Sequence, residues 1–243
     1  MELIVKNLEK KAPETTKKIT GAEALILSLL EEQVTTIFGY PGGAIMPIYD
    51  ALYDYQDRVQ HILVRHEQGA IHAAQGFARV SGRVGVCFAT SGPGATNLIT
   101  GIADAQIDST PLVCITGQVP SALLGTDAFQ ETDVLGISMP VTKWNYQVTK
   151  PEEIPGIIAK AFFIARSGRP GPVLVDITKD AQFGTLDFKY EKCERLRSYV
   201  PVPKLDLQAI EAAADLINAA KKPLLLVGHG VLISKAQKEL LSL

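Results

Sequence analysis

The chain lacks the features that mark several large classes of protein. It has only three cysteines among 243 residues: Cys87 and Cys114 lie in apolar runs, and Cys193 stands alone in a polar stretch. This pattern fits neither a disulfide framework nor a metal site and predicts reduced thiols in a cytoplasmic protein. Lys and Arg total 24 against 26 Asp and Glu, which leaves no basic footprint for nucleic acid. No apolar run approaches the length of a membrane span.

Nucleotide-binding signatures are also weak. The sequence has no Gly-Lys dipeptide, and a phosphate-binding loop needs Gly-Lys followed by Ser or Thr. Gly228-His229-Gly230 begins a dinucleotide fingerprint, but Ile233 stands where the third glycine would be. His229 has no metal-ligand spacing to the other histidines and is interpreted as a loop residue.

What the sequence does contain is an alternation of short apolar runs with helix-forming segments. Strands are predicted at 34–38, 61–64, 83–89, 111–117 and 173–177, and helices over 21–33, 44–53, 70–80, 95–107 and 152–166. Strands that are apolar throughout are typical of a parallel sheet covered on both faces. The predicted fold class is therefore α/β, a doubly wound parallel sheet with helices on both faces. The long polar segment 118–145 is interpreted as functional or disordered.

The composition predicts four regions along the chain. Residues 1–18 are interpreted as a flexible extension, 19–182 as the first domain, and 183–204, charged and punctuated by prolines, as a linker. Residues 205–243 have the pattern of helix, strand (223–227) and helix, the start of a second α/β domain. We expect that second domain to be incomplete, because one helix–strand–helix unit cannot bury a parallel strand on both sides.

Three loops rich in small residues follow predicted strands, at 39–43, 65–70 and 90–97. Open α/β sheets bind ligands at the carboxyl ends of their strands, so these loops can converge on one crevice. Glu67 is the acid in this set, and burying its carboxylate is costly unless it is protonated or paired. The alternative is a glutamate at a solvated helix start, stabilised by the helix dipole. His66 and His72 flank it, and hydrogen-bonded packing is favoured for both over catalysis.

Four segments together resemble the acetolactate synthase (acetohydroxyacid synthase) family, which uses thiamine diphosphate. They are Phe-Gly-Tyr-Pro-Gly-Gly-Ala at 38–44, Arg-His-Glu-Gln-Gly-Ala at 65–70, Ala-Thr-Ser-Gly-Pro-Gly-Ala-Thr-Asn at 89–97 and Gly-Thr-Asp-Ala-Phe-Gln-Glu at 125–131. The resemblance continues through 167–176 and covers the chain from about residue 19 to the end. The glutamate and Ser-Gly-Pro-Gly segments are shared among thiamine diphosphate decarboxylases and oxidases, whereas the last segment is more particular.

The resemblance implies an activity and an assembly. The family's catalytic large subunit decarboxylates pyruvate on thiamine diphosphate and joins the two-carbon unit to a second 2-oxoacid, a step of branched-chain amino acid biosynthesis. It is a flavoprotein that carries FAD without redox use, binds Mg²⁺, forms a homodimer or tetramer and can take a small regulatory subunit. Residues 19–182 would be the pyrimidine-binding domain, and 205–243 the start of the central FAD-contacting domain.

The resemblance also implies roles for single residues. Glu67 would hydrogen-bond the N1′ atom of the cofactor's aminopyrimidine, and Gln130 would lie by the reacting centre. Phe129 and Lys179 match the substrate channel. The cofactor-binding positions are completed by Tyr40, Pro41, Gly42, Pro93 and Asn97 for thiamine diphosphate, and by Arg169 for FAD.

Two departures from the family pattern qualify these expectations. Thr178 stands where the family has proline before the lysine, which affects the local turn at Lys179. The sequence also has no Asp-Gly dipeptide, whereas the family holds the diphosphate through Mg²⁺ with a Gly-Asp-Gly…Asn segment. We therefore expect the pyrimidine half of the site, no metal ligands, and no activity from this chain alone. The alternatives are another thiamine diphosphate decarboxylase or oxidase, and a truncated, non-catalytic module.

Overall fold

Six parallel strands form the central sheet of the structure, a computed structural model that describes residues 18–243. The described residues form eight strands in all: β1 (Lys18–Thr20), β2 (Thr36–Gly39), β3 (Gln60–Leu63), β4 (Gly85–Ala89), β5 (Leu112–Gln118), β6 (Trp144–Val148), β7 (Pro172–Thr178) and β8 (Thr185–Asp187). The sheet order is β3-β2-β4-β5-β7-β6, and every neighbouring pair is parallel. β1 and β8 form a separate antiparallel pair. The predicted fold class is confirmed, while the extension predicted before Lys18 lies outside the described residues.

Helices connect the strands. They are α1 (Gly21–Glu31), α2 (Met46–Tyr53), α3 (Glu67–Ser81), α4 (Pro93–Thr96), α5 (Ile99–Ile107), α6 (Val134–Ser138), α7 (Ile154–Arg166) and α8 (Lys179–Phe183). Short 3₁₀ turns cover Ser121–Leu123, Met139–Val141 and Pro151–Glu153. Thr20 is the N-cap of α1, because its Oγ1 accepts a hydrogen bond from the Glu23 N–H at 3.1 Å.

Alternation along the strands separates two hydrophobic layers. On β4, Val86 and Phe88 face the layer formed with α1, α2, α7 and α8, while Cys87 and Ala89 face the layer formed with α3, α5 and α6. Successive strand side chains point to opposite faces, and every residue of β4, β5 and β7 is buried, so both sides of these three strands are covered. This explains why these strands could be located from sequence.

The edges of the sheet differ from prediction. The run ending in Leu63 and Val64 is predicted to be a buried strand, and this is wrong: β3 is an edge strand, and Leu63 is 65% exposed. The other edge strand, β6, was not predicted, and only its first two residues, Trp144 and Asn145, fall in the polar segment 118–145. Its alternation of apolar and polar residues is nevertheless typical of a strand. The predicted helix over 95–107 is two helices, α4 and α5.

The described residues divide into two compact units, 18–201 and Val202–Leu243. Residues of the predicted linker belong to the first unit, where the Tyr190 hydroxyl donates to Glu32 Oε1 at 2.5 Å and the Tyr199 hydroxyl donates to Ser167 O at 2.9 Å. Among residues 18–243, no helix is long and apolar enough to cross a membrane.

The second unit contains α9 (Leu207–Ala219), α10 (Gly230–Ile233) and α11 (Gln237–Leu241), and none of residues 202–243 is buried. The strand predicted at 223–227 does not form. A strand needs a neighbour to satisfy its backbone N–H and C=O groups, and no residue in this unit pairs as a strand. Leu224 and Leu226 are accordingly exposed.

Candidate functional site

The candidate site lies where the strand order reverses, between β2 and β4. The chain runs outward from β2 to β3 and then returns to place β4 on the other side of β2. Loops that leave the carboxyl ends of two such strands diverge and open a crevice, which is the usual ligand position in open α/β sheets. The three loops predicted to converge, 39–43, 65–70 and 90–97, all leave this edge of the sheet.

The first and third of these loops touch directly. The backbone N–H of Ala44 donates to Thr90 Oγ1 at 3.2 Å, and the N–H of Tyr40 donates to Phe88 O at 3.3 Å. A Cβ atom on Gly42 would lie only 2.5 Å from Thr90 Cβ. Glycine at this position therefore lets the two loops pack against each other, which explains one of the small residues in the motif. Thr90 was not predicted as a site residue, although its place at the end of an apolar strand is a signal that could have identified it.

Glu67 is the first residue of α3 and is buried, with 8% of its surface exposed. The Asn97 side-chain amide donates to Glu67 Oε2 at 3.0 Å, which joins the second loop to the third. Among residues 18–243, no group donates a hydrogen bond to Glu67 Oε1. A Cβ on Gly94 would lie 3.2 Å from that oxygen, so the glycine keeps its surroundings open. The solvated alternative for Glu67 is wrong, because the side chain is buried and paired.

The segment that carries Gln130 lies against the third loop. Gly92 has φ +56°, and a Cβ there would lie 2.5 Å from Gln130 O, so only glycine permits this contact. The Glu131 carboxylate accepts hydrogen bonds from the backbone N–H groups of Gly125 at 2.5 Å and Thr126 at 3.2 Å, which closes the segment on itself. Both Gln130 and the neighbouring Phe129 are exposed beside the crevice.

A buried polar cluster, formed by Asp176, Thr116, Gln118 and Gln147, lies at this end of β5, β6 and β7. The Asp176 carboxylate accepts hydrogen bonds from Thr116 Oγ1 at 2.6 Å, Gln118 Nε2 at 3.1 Å and Gln147 Nε2 at 2.9 Å. Burial raises the pKa of Asp176, and these three hydrogen bonds partly oppose the rise. Gln118 Nε2 also donates to Thr132 O at 3.1 Å, so the cluster is connected to the segment that follows Gln130. This cluster was not predicted, although an aspartate inside an apolar strand was a usable signal.

A second pair that was not predicted supports the first loop. The Tyr49 hydroxyl and His61 Nε2 are 3.3 Å apart, and the tyrosine hydroxyl occupies the space where a side chain on Gly39 would lie. Burial, with smaller contributions from Cys87 and Glu67, raises the pKa of Tyr49. Burial lowers the pKa of His61. Both groups therefore stay neutral near pH 7 and can support the Gly39–Gly43 loop without adding charge to it.

The remaining predicted residues are distributed between two edges of the sheet. Tyr40 and Pro41 lie exposed on the first loop, and Pro93 begins α4 in the third. Lys179 begins α8 directly after β7, at the same edge of the sheet as Glu67. These residues are brought to the carboxyl edge by the parallel strands alone.

Arg169 lies elsewhere. It precedes β7 and therefore belongs to the amino edge, where its Nε donates to Ser109 Oγ at 2.8 Å and its Nη2 donates to Ile107 O at 2.8 Å. The structure does not bring Arg169 together with Glu67 in the first unit. Thr178 stands where the family has proline. Its Oγ1 donates a hydrogen bond to Val148 O at 3.2 Å, which ties the start of α8 to β6.

Acidic and soft ligands do not gather at this edge. Among the residues that the structure describes, no group of three or more His, Cys, Asp or Glu side chains is arranged to hold a metal ion. The crevice therefore offers one buried carboxyl, one carboxamide and open backbone loops, a set suited to a flat, neutral heterocycle with hydrogen-bonding ring atoms.

Comparison with known proteins agrees with this arrangement. Residues 19–137 match the family described as thiamine pyrophosphate enzyme, N-terminal TPP binding domain. The acetolactate synthase large subunit of Corynebacterium glutamicum is 58% identical over 229 residues, covering 94% of this chain and 36% of that protein. An acetolactate synthase of Mycobacterium leprae is 53% identical over 236 residues, covering 97% of this chain and 37% of its own length. The acetolactate synthase large subunit of Parasynechococcus marenigrum is 53% identical over 244 residues, covering 98% of this chain and 39% of that protein.

These comparisons confirm the resemblance that the four motifs indicated. They also show how much of the relatives the chain corresponds to, because it spans only 36–39% of the length of these curated proteins.

Proposed function

Because residues 19–137 match the N-terminal TPP binding domain of the thiamine pyrophosphate enzymes, we propose that this chain supplies the pyrimidine-binding half of an acetolactate synthase site. The observation that carries the proposal is the state of Glu67. Its carboxyl is buried, one oxygen is held by Asn97, and the other receives no hydrogen bond from the described residues. A carboxyl that is fixed through one oxygen and leaves the other open to the crevice is suited to hydrogen-bond a ligand.

The residues of the crevice fit an aminopyrimidine ring. Thiamine diphosphate, when bound, supplies the electron sink for decarboxylating a 2-oxoacid and transferring its two-carbon unit. Glu67 Oε1 would hold a proton against the ring atom N1′, while Asn97 keeps the carboxyl plane fixed through Oε2. The backbone groups of the loop around Gly42 would face the ring, and the glycine keeps this loop packed on Thr90, because a Cβ at residue 42 would lie 2.5 Å from Thr90 Cβ.

Two segments beside the crevice would complete the reaction centre. Gln130 would contact the reacting atoms, since its backbone rests on the Gly92 turn next to the Glu67 loop. Phe129 and Lys179 would line the approach of pyruvate and the second 2-oxoacid. The relatives' names support this reaction, and the particular match at 126–131 favours it over a thiamine diphosphate decarboxylase or oxidase.

Other parts of the proposal rest on the resemblance alone. Mg²⁺ and the diphosphate would be held by residues outside this sequence, and 205–243 would begin the central domain. Arg169 would contact FAD with the faces of its guanidinium not engaged by Ser109 and Ile107. The working protein would be a cytoplasmic homodimer or tetramer in branched-chain amino acid biosynthesis, with a small regulatory subunit.

The test is a chimera in which this chain replaces the matching 36% of the Corynebacterium glutamicum large subunit. Acetolactate is measured as acetoin after acidification, and acetaldehyde and acetate are measured in parallel. We expect acetolactate from the chimera, no product from the 243-residue chain alone, and loss of most turnover in Glu67→Gln. Glu152→Gln, an isosteric change at an exposed site outside the crevice, is the matched control.

Three results would contradict the proposal. Wild-type carboligation by Glu67→Gln would remove Glu67 from the reaction. Acetaldehyde or acetate as the main product would favour the other thiamine diphosphate enzymes. A folded chimera without turnover would favour a non-catalytic module.

A further inference from the structure

His66, the residue before Glu67, makes a hydrogen bond that neither the motif nor the proposed reaction assigns. Its backbone is extended (φ −158°, ψ 137°), and its Nδ1 accepts the backbone N–H of Gln68 at 3.1 Å. This is the geometry of a helix N-cap, a position usually taken by Ser, Thr, Asp or Asn. The other side-chain N-caps among the described helices are indeed threonine or aspartate, at Thr20, Asp133 and Asp206.

An imidazole nitrogen that accepts a hydrogen bond carries no proton. The ring of His66 is therefore neutral, and its proton is on Nε2. An aspartate in the same place would cap the helix equally well but would put a second negative charge beside the Glu67 carboxyl. The histidine caps α3 without that charge.

The His66 cap stabilises the helical turn that begins with Glu67. The first turn of a helix has backbone N–H groups with no partner in the helix, and without a cap this turn opens most easily. Glu67 is the first helical residue, and the one hydrogen bond that the described residues make to its side chain comes from Asn97. If the turn at Gln68 opens, the Glu67 backbone leaves the helical conformation and its carboxyl moves away from Asn97.

We propose that His66 is a positioning residue: its neutral imidazole fixes the start of α3 and so directs the Glu67 carboxyl to Asn97 and into the crevice. The structural part of this proposal stands on the two hydrogen bonds, and its consequence for turnover rests on the proposed function of Glu67. His66 touches Gln68 and need not touch the cofactor.

The first measurement uses the unmutated chain. Long-range ¹H–¹⁵N spectra distinguish the two neutral imidazole tautomers, and near pH 7.5 we expect His66 with its proton on Nε2. A proton on Nδ1 would overturn the proposal directly, whether or not any variant folds.

The second measurement compares three variants of the same chain. In His66→Ala we expect the hydrogen-exchange protection of the Gln68 amide to fall about fivefold or more, in line with the loss of an N-cap. The side-chain amide signals of Asn97 should move toward those of a free carboxamide. His66→Asn supplies a neutral acceptor and should restore both readouts.

Thr20→Ala is the matched control, because it removes a cap of the same length, 3.1 Å, from α1 on the other face of the sheet. It should lower stability without moving the Asn97 signals. The proposal is overturned if Gln68 protection is unchanged in His66→Ala, if asparagine does not restore it, or if Thr20→Ala moves Asn97 equally.

The same variants in the chimera separate this inference from the proposed function. We expect His66→Ala to lower turnover and His66→Asn to recover most of it. If the Gln68 and Asn97 readouts change as expected and turnover does not, the positioning inference stands and the role proposed for Glu67 is wrong.

Discussion

Asp176 offers a test of how buried polar groups hold this end of the sheet. The carboxylate lies on β7 between β5 and β6, and it accepts one hydrogen bond from each of Thr116, Gln118 and Gln147. Thr116 and Gln118 are fully buried, while Gln147 is partly exposed. Removing the acceptor therefore leaves at least two donors without access to water.

The size of the effect follows from that count. A buried donor left unsatisfied costs about 1–3 kcal/mol, so with two such donors Asp176→Ala should lower the free energy of unfolding by about 2–6 kcal/mol. Asp176→Asn keeps one oxygen for the two glutamine amides, and its own amide can donate to the Thr116 hydroxyl, which can rotate. We therefore expect the asparagine variant to lose only about 1 kcal/mol.

The difference in stability between the wild type and Asp176→Asn should change with pH in one direction. Burial raises the folded-state pKa of Asp176 above its ordinary value of 3.8, so the folded chain binds this proton more tightly than the unfolded chain. The resulting stabilisation is present below 3.8 and is lost as pH rises through the folded-state pKa. The asparagine variant has no such proton. The stability of the wild-type chain relative to Asp176→Asn should therefore decline as pH rises above 3.8.

Urea unfolding followed by fluorescence is a suitable assay, because Trp144 is the only tryptophan in the sequence and lies on β6, the strand that carries Gln147. The reasoning is refuted if Asp176→Ala is no less stable than Asp176→Asn. It is also refuted if the difference between wild type and Asp176→Asn grows in favour of the wild type with rising pH.

Two further predictions use glycines as matched pairs. Gly42→Ala should displace the Thr90 side chain and weaken thiamine diphosphate binding in the chimera at least about fivefold, whereas Gly43→Ala, with nothing within 4 Å of the new Cβ, should bind normally by calorimetric titration. Gly76→Ala, equally open and inside α3, should raise the free energy of unfolding by about 0.5–1 kcal/mol in urea, whereas Gly101→Ala would press a Cβ into α3 and should lower it.

The parts of the fold that could be predicted are those where local pattern and tertiary environment agree. β5 and β7 are mostly apolar because both of their faces are covered, and their predicted and observed bounds differ by one residue at each end. β3 and β6 are edge strands, each with a single neighbouring strand. No local sequence pattern shows that a strand will lie at the edge of a sheet. For this reason β3 was predicted with too much burial, and β6 was not predicted as a strand at all.

The candidate site could likewise be predicted only in part. The motifs placed Glu67 and three glycine-rich loops together because parallel strands bring their carboxyl ends to one edge. The partner of Glu67 is Asn97, which is 30 residues away, and the acceptor for Thr116 is Asp176, which is 60 residues away. The second pair follows from the sheet register, Thr116 opposite Asp176, and the first from the packing of two loops. Neither could be read from composition.

A last prediction compares two helices of equal length. α7 and α9 each have 13 residues, but eight residues of α7 are buried and none of α9 is. An isolated helix of this length is marginal in water, and most helix stability in proteins comes from packing of an apolar face. Asp206 caps α9 by accepting the Ala209 N–H at 3.0 Å, so a missing N-cap is not what distinguishes the two. We expect the amides of α9 to exchange at least about a hundredfold faster than those of α7 by mass spectrometry, because local opening without burial is nearly free. Equal protection in the two helices would show that α9 is stabilised by its own sequence, and it would contradict the idea that the missing strand at 223–227 reflects a lack of packing partners in this unit.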